Sequence, residues 1–60
     1  MINIGDTFKV KGVNSFVEVV DFDDEIIDFK LKNGVKRVYL EMDNFKEMEL
    51  SGEIKLISKG

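Results

Sequence analysis

Five acidic residues within eight positions, Asp21, Asp23, Asp24, Glu25 and Asp28, form the densest group of reactive oxygen atoms in this 60-residue chain. Clustered hard oxygens invite a divalent cation, and neighbouring carboxylates invite acid–base work. The spacing argues against both. A calcium loop of the helix-flanked kind needs about twelve residues, a central glycine and a distal glutamate, and the run has none of them. A general acid needs a carboxyl in apolar surroundings that raise its proton affinity. These carboxylates instead sit at a chain reversal or alternate toward water. Histidine and cysteine are both absent, so imidazole and thiolate chemistry, disulfides and a structural zinc site are excluded. That leaves carboxylates, lysines, Tyr39 and four hydroxyl side chains. A chain this short rarely encloses a catalytic pocket, so the expectation is a non-enzyme with no cofactor and no metal. The acidic run reads as a solvated turn, or as a surface that docks on a basic protein or imitates a phosphate backbone.

The cations form a thinner pattern. Lys9 and Lys11 share one strand, and Lys30, Lys32, Lys36 and Arg37 gather around a hairpin tip, where they are candidates for anion or nucleic-acid contact. A net charge of -3 works against nucleic acid as the main partner. The five glycines never form the clustered loop that cradles phosphate and read as turns. Among the apolar residues, Phe16, Val20, Phe22, Ile26 and Tyr39 fall on the side away from the hairpin's core row. Either they close the second half of a folded sheet or they leave a patch of Phe22, Ile26 and Tyr39 as a protein interface. With Asp23, Asp24 and Glu25 beside it, that patch is the candidate partner-binding site.

The elements that must position these groups are strands. Alanine and proline are missing, and the apolar positions go largely to seven valines, six isoleucines and five phenylalanines, residues suited to a pleated surface. Asn33-Gly34, flanked by alternating stretches Ile26 to Lys32 and Val35 to Glu41, predicts a hairpin with a type I′ turn, both turn residues taking positive φ. In that register Phe29 faces Val38, Ile27 faces Leu40, Asp28 faces Tyr39 and Lys30 faces Arg37. The last pair sets like charges together, and Glu18 on the preceding strand is placed to relieve them.

Ile4 to Gly12 opens with a Gly5-Asp6 turn and alternates Phe8 and Val10 with polar neighbours, a half-buried strand. Phe16 to Phe22 is apolar enough to be central and covered on both faces. A three-residue loop setting Phe22 opposite Ile26 also places Val19 opposite Phe29, Val17 opposite Leu31 and Glu18 opposite Lys30. Met42, Phe45 and Met48 then recur every third residue, and Asn44 with Glu47 has capping-box spacing, so a short helix or 3₁₀ turn is expected. A strand over 46–50 paired through Ser51-Gly52 is the alternative. Ile54, Leu56 and Ile57 form a last strand that must pair with the first, and residues 58–60 are expected to fray.

That order of strand, three-stranded meander, helical turn and final strand, opened by Gly5-Asp6-Thr7-Phe8-Lys9-Val10-Lys11-Gly12, resembles the small SH3-like barrels. Such barrels occur in ribosomal and transcription-elongation modules and in short bacteriophage- and prophage-encoded proteins. The resemblance spans almost the whole chain and implies one domain, residues 1–60, folded as a mainly β, five-stranded antiparallel barrel. Without tryptophan, and with Tyr39 as sole tyrosine, the chain lacks the aromatic sets of proline-peptide grooves and methyl-lysine cages.

No apolar run approaches the ~18 residues that span a bilayer, and Met1-Ile2-Asn3-Ile4 has no signal-peptide pattern. A cytoplasmic protein with no membrane partner is expected. The functional expectation is a binding or regulatory protein acting by contact with a larger protein, phage- or prophage-encoded by resemblance. Its rivals are a nucleic-acid module using the basic tip and a weakly self-associating structural protein.

Overall fold

A computed structural model describes residues Met1–Gly60. Strands β1 (Thr7–Val10), β2 (Phe16–Phe22), β3 (Ile26–Leu31) and β4 (Arg37–Glu41) precede helix α1 (Met42–Ser51) and strand β5 (Ile54–Ser58). All five strands join one antiparallel sheet in the order β4-β3-β2-β1-β5, with β2 at the centre. The five strands, the helix before the last of them and the pairing of β5 with β1 agree with the sequence. Closure into a barrel does not: β4 and β5 share no ladder. Helix α1 takes the chain from one edge strand to the other, touching β3, β4 and β5 on the way.

The core lies between α1 and one face of the sheet. Alternation turns Phe8, Val17, Val19, Ile27 and Phe29 to that face, and Met42, Phe45 and Ile54 complete the buried cluster. Phe45 is the plug, with its ring 5.3 Å from Phe8 at 89° and 5.9 Å from Phe29, distances at which aromatic pairs attract beyond their area. The spacing of three therefore marks a helix, and the strand alternative over 46–50 is excluded.

The helix nonetheless begins before the capping box. Glu41 is its N-cap residue and makes no side-chain cap bond, while Asn44 lies inside the first turn and donates to Glu41 Oε1 at 3.3 Å. Starting at Met42 buries that methionine, worth about 1.5–3 kcal/mol against about 1 kcal/mol for a cap. The Met42 amide is not orphaned either, because it donates to the Glu25 carbonyl at 2.7 Å. At the far end Gly52, with φ of +84°, closes the helix by donating to the Glu49 carbonyl.

The β3–β4 register is the expected one, Phe29 facing Val38 and Lys30 facing Arg37, but the turn is not. Neither Asn33 nor Gly34 has positive φ. Leu31 donates to the Lys36 carbonyl at 3.0 Å, and Gly34 donates to the Leu31 carbonyl at 3.2 Å, so the loop comprises residues 32–35. The cause is strand phase. The Lys32 amide points to β2 and donates to the Phe16 carbonyl at 2.9 Å, so it cannot close a two-residue turn toward β4. A four-residue loop centred on the same bond preserves the register while changing the turn chemistry.

Between β2 and β3 the first three expected pairs hold, Val17 with Leu31, Glu18 with Lys30 and Val19 with Phe29. The ladder then slips, pairing Asp21 with Asp28 and Phe22 with Ile27 rather than Ile26, and leaves Val20 as a bulge. The reason lies in Asp23, whose Oδ1 accepts from the amides of Glu25 at 2.8 Å and Ile26 at 2.9 Å. This Asx arrangement tightens the reversal, closed by the Asp23 amide donating to the Ile26 carbonyl. The bulge absorbs the difference. Cover on both faces of β2 is also absent, since Phe16 on the side away from α1 is exposed.

Residues 58–60 do not fray. Ser58 belongs to β5, and the buried Asp6 anchors the two residues after it: Gly60 donates to its Oδ1 at 2.7 Å, and Lys59 Nζ and the Asn3 amide each donate to its Oδ2 at 2.9 Å.

A candidate partner-binding face

The sheet face away from α1 is bare, and cross-strand pairing sets the order of its side chains. Nearest the β3–β4 loop lie Lys55, Lys9, Phe16 and Lys32. Next come Thr7, Glu18, Lys30 and Arg37. Beyond these stand Asp21, Asp28 and Tyr39, and finally Ile26 with Glu41. Charge is thus graded along the face, basic at one end and acidic at the other. That bipolarity matches the layout of lysines and carboxylates in the chain.

At the acidic end, Asp21 and Asp28 stand directly opposite each other, a pairing of like charges that costs stability. Arg37 relieves one of them, its Nη1 lying 2.5 Å from Asp28 Oδ2. Asp28 Oδ1 is buried with no donor. Around these carboxylates Asp23, Ile26, Tyr39 and Phe22 line a shallow depression, with Tyr39 63% exposed. Ile26 and Tyr39 belong to the bare face, as the sequence suggested. Phe22 does not share it, because its partner Ile27 is a core residue. The Val20 bulge turns Phe22 to the rim, where it also borders a second depression with Ile2, Met42 and Phe45.

The run Asp23-Asp24-Glu25 packs at the start of α1, where Glu41 and Asp43 join it around one concavity. Negative charge there complements the positive helix end. Backbone amides of Ile26 and then Glu25 hold the Asp23 carboxyl below its ordinary proton affinity. No group of three or more carboxylates is arranged to hold a metal ion.

At the basic end the hairpin cations divide. Arg37 is engaged by Asp28, and Lys32 approaches Glu18 at 3.9 Å. Glu18, expected opposite Lys30, does stand there, yet its ion pair is with Lys32, and Asp28 rather than Glu18 relieves Arg37. Lys30 and Lys36 stay unpaired. The sequence alone missed Lys55, which the β1–β5 register sets directly opposite Lys9.

No family model, curated protein or solved structure matches the chain. No helix is long and apolar enough to cross a membrane.

Proposed function

We propose that this chain is a non-enzymatic binding protein acting by protein–protein contact, and that the acidic end of the bare face receives a basic side chain of a larger partner. The observation behind this is the Asp21–Asp28 pair, two facing carboxylates of which the chain's own Arg37 engages only Asp28. An arriving guanidinium or ammonium would pair with the exposed Asp21 and relieve the repulsion between the two carboxylates. Tyr39 offers an exposed ring for cation–π contact, and Ile26 offers apolar area beside it. The surrounding Asp23, Asp24 and Glu25 would steer such a partner inward. A non-catalytic role is supported by the two carboxyls with displaced proton affinity, Asp6 and Asp23, both of which move down, opposite to what a general acid needs.

We read the fold further as SH3-like and the protein as a cytoplasmic, phage- or prophage-borne regulator. Support for the fold comes from the β2–β4 meander, the β1–β5 pairing and the helix before the last strand; the origin and the location follow from the resemblance and composition alone.

The chain has one tyrosine and no tryptophan, so Tyr39 fluorescence reports on the site directly. Titration with an arginine-containing peptide is expected to change that emission, and Asp21→Lys to abolish the change. In parallel, wild-type protein and a Tyr39→Ala/Asp21→Lys variant, both tagged, are used to capture proteins from host extract. A polypeptide retained by the first and lost from the second is expected. Identical captures together with unresponsive emission would refute the proposal.

A further inference from the structure

Lys9 and Lys55 face each other across the β1–β5 ladder, and Lys11 joins them around a concavity lined also by Ser51, Gly52 and Ile57. Like charges on opposed strands repel, yet none of the three forms an ion pair; the chain's ion pairs involve Lys32, Arg37 and Lys59 instead. The carboxyl end of α1 lies beside them at Ser51 and Gly52. A helix end offers about half a negative charge, which offsets only a fraction of three lysines. Lys9 is also held in place, its Nζ donating to the carbonyls of Val10 and Val13.

The same row continues into an aromatic. Lys9 pairs with Phe16 on its other side, and Phe16 in turn meets Lys32. Phe16 is 43% exposed on the sheet face away from α1. The three strands carrying Lys55, Lys9 and Phe16, two spacings of about 4.8 Å, give a track of roughly 10 Å. Cations that take phosphates, with a ring beside them on which a base can stack, are the two ingredients of sequence-tolerant single-strand recognition.

We infer that the row Lys55, Lys9 and Phe16, with Lys11 alongside, is a binding site for single-stranded nucleic acid, the lysines meeting phosphates and Phe16 stacking on a base. It lies at the opposite end of the face from Tyr39 and does not depend on the protein contact proposed above. It also differs from the hairpin tip, where Lys32 and Arg37 already engage carboxylates.

Fluorescence anisotropy of labelled oligothymidylate and oligouridylate tests the site, the two probes separating DNA from RNA. Binding at low salt is expected, weakening with a log–log slope near −2 for three phosphates at about 0.7 each. Lys9→Glu/Lys55→Glu should weaken it at least tenfold, whereas Lys46→Glu on α1 should leave it unchanged. Phe16→Ala should weaken it about five- to 150-fold, the range for loss of one stacked base, without altering the salt slope. Phe16→Tyr, which keeps a ring and the fold, should retain it. Circular dichroism confirms that each variant is folded. Absence of binding at low salt would overturn the proposal. So would equal binding of polyphosphate or polyglutamate, or a loss produced by Lys36→Glu and not by Lys9→Glu/Lys55→Glu.

Discussion

Asp6 is the residue whose environment has the most direct consequence. Its carboxyl receives Gly60 and Asn3 amides and the Lys59 ammonium, and these hold its pKa at about 2 against an ordinary 3.8. Because the folded value is depressed, the stability it confers is fully present above about pH 4 and is lost as pH falls toward 2. Thermal unfolding followed from pH 5 to pH 2 should therefore show a falling midpoint in that window. Asp6→Asn should start lower and fall less, the remaining decline coming from groups such as Asp23. Gly60 supplies a second check. A Cβ there would collide with Gly5 C and sit 2.5 Å from the Ile4 carbonyl oxygen, both backbone atoms. Gly60→Ala should push the last residue away and raise the Asp6 pKa, as measured by carboxyl chemical shifts. Asp6 was legible as part of a turn but not as a buried anchor. Its partners Lys59 and Gly60 lie 53 and 54 residues away, and no local pattern encodes that meeting.

At the scale of elements, two glycines separate what was readable from what was not. Gly34 stood out as the turn residue, yet it has no positive φ and open space around its Cα. Gly52 was read only as a turn residue like the other glycines, yet it takes φ of +84° at the end of α1. Gly34→Ala should accordingly leave the unfolding midpoint nearly unchanged, while Gly52→Ala should cost about 1–2 kcal/mol. In a domain this small that is a drop of about 4–8 °C per kcal/mol. A result with the two reversed would restore the type I′ turn. The β3–β4 register was readable because loops of two and four residues about one centre pair the strands identically. The turn type was not, because it depends on whether the Lys32 amide faces β4 or β2, and β2 decides that. The helix was visible in the spacing of Met42, Phe45 and Met48, and its closure of the core rests on Phe45. Phe45→Ala should cost about 3–5 kcal/mol, against a total stability of about 3–9 kcal/mol for 60 residues. Urea titration should find that variant's unfolding midpoint sharply lowered, or the chain already unfolded without denaturant.

For the whole molecule, β-rich composition and alternation were enough to anticipate five antiparallel strands with a buried aromatic cluster. They were not enough to anticipate the open sheet, because a helix that spans from β4 to β5 and a seam that joins them satisfy the same apolar pattern. The candidate sites divide in the same way. Ile26 and Tyr39 share the bare face because their alternation is intact, and Phe22 leaves it because one unpaired residue intervenes. Lys55 joins Lys9 only through β1–β5 pairing, which links opposite ends of the chain. The resulting bipolar face should make association with any charged partner strongly dependent on ionic strength, and contacts at its two ends should respond independently to substitution.

Val20 has a consequence of its own for how this chain tolerates length change. Its neighbours Val19 and Asp21 pair with Phe29 and Asp28, which are consecutive, so excising that valine would splice two rungs into an uninterrupted ladder with every remaining side chain still on its present side. A deletion inside a central strand ordinarily inverts everything beyond it. Here the chain should fold one residue shorter, whereas removing Phe29 from β3 should not be forgiven.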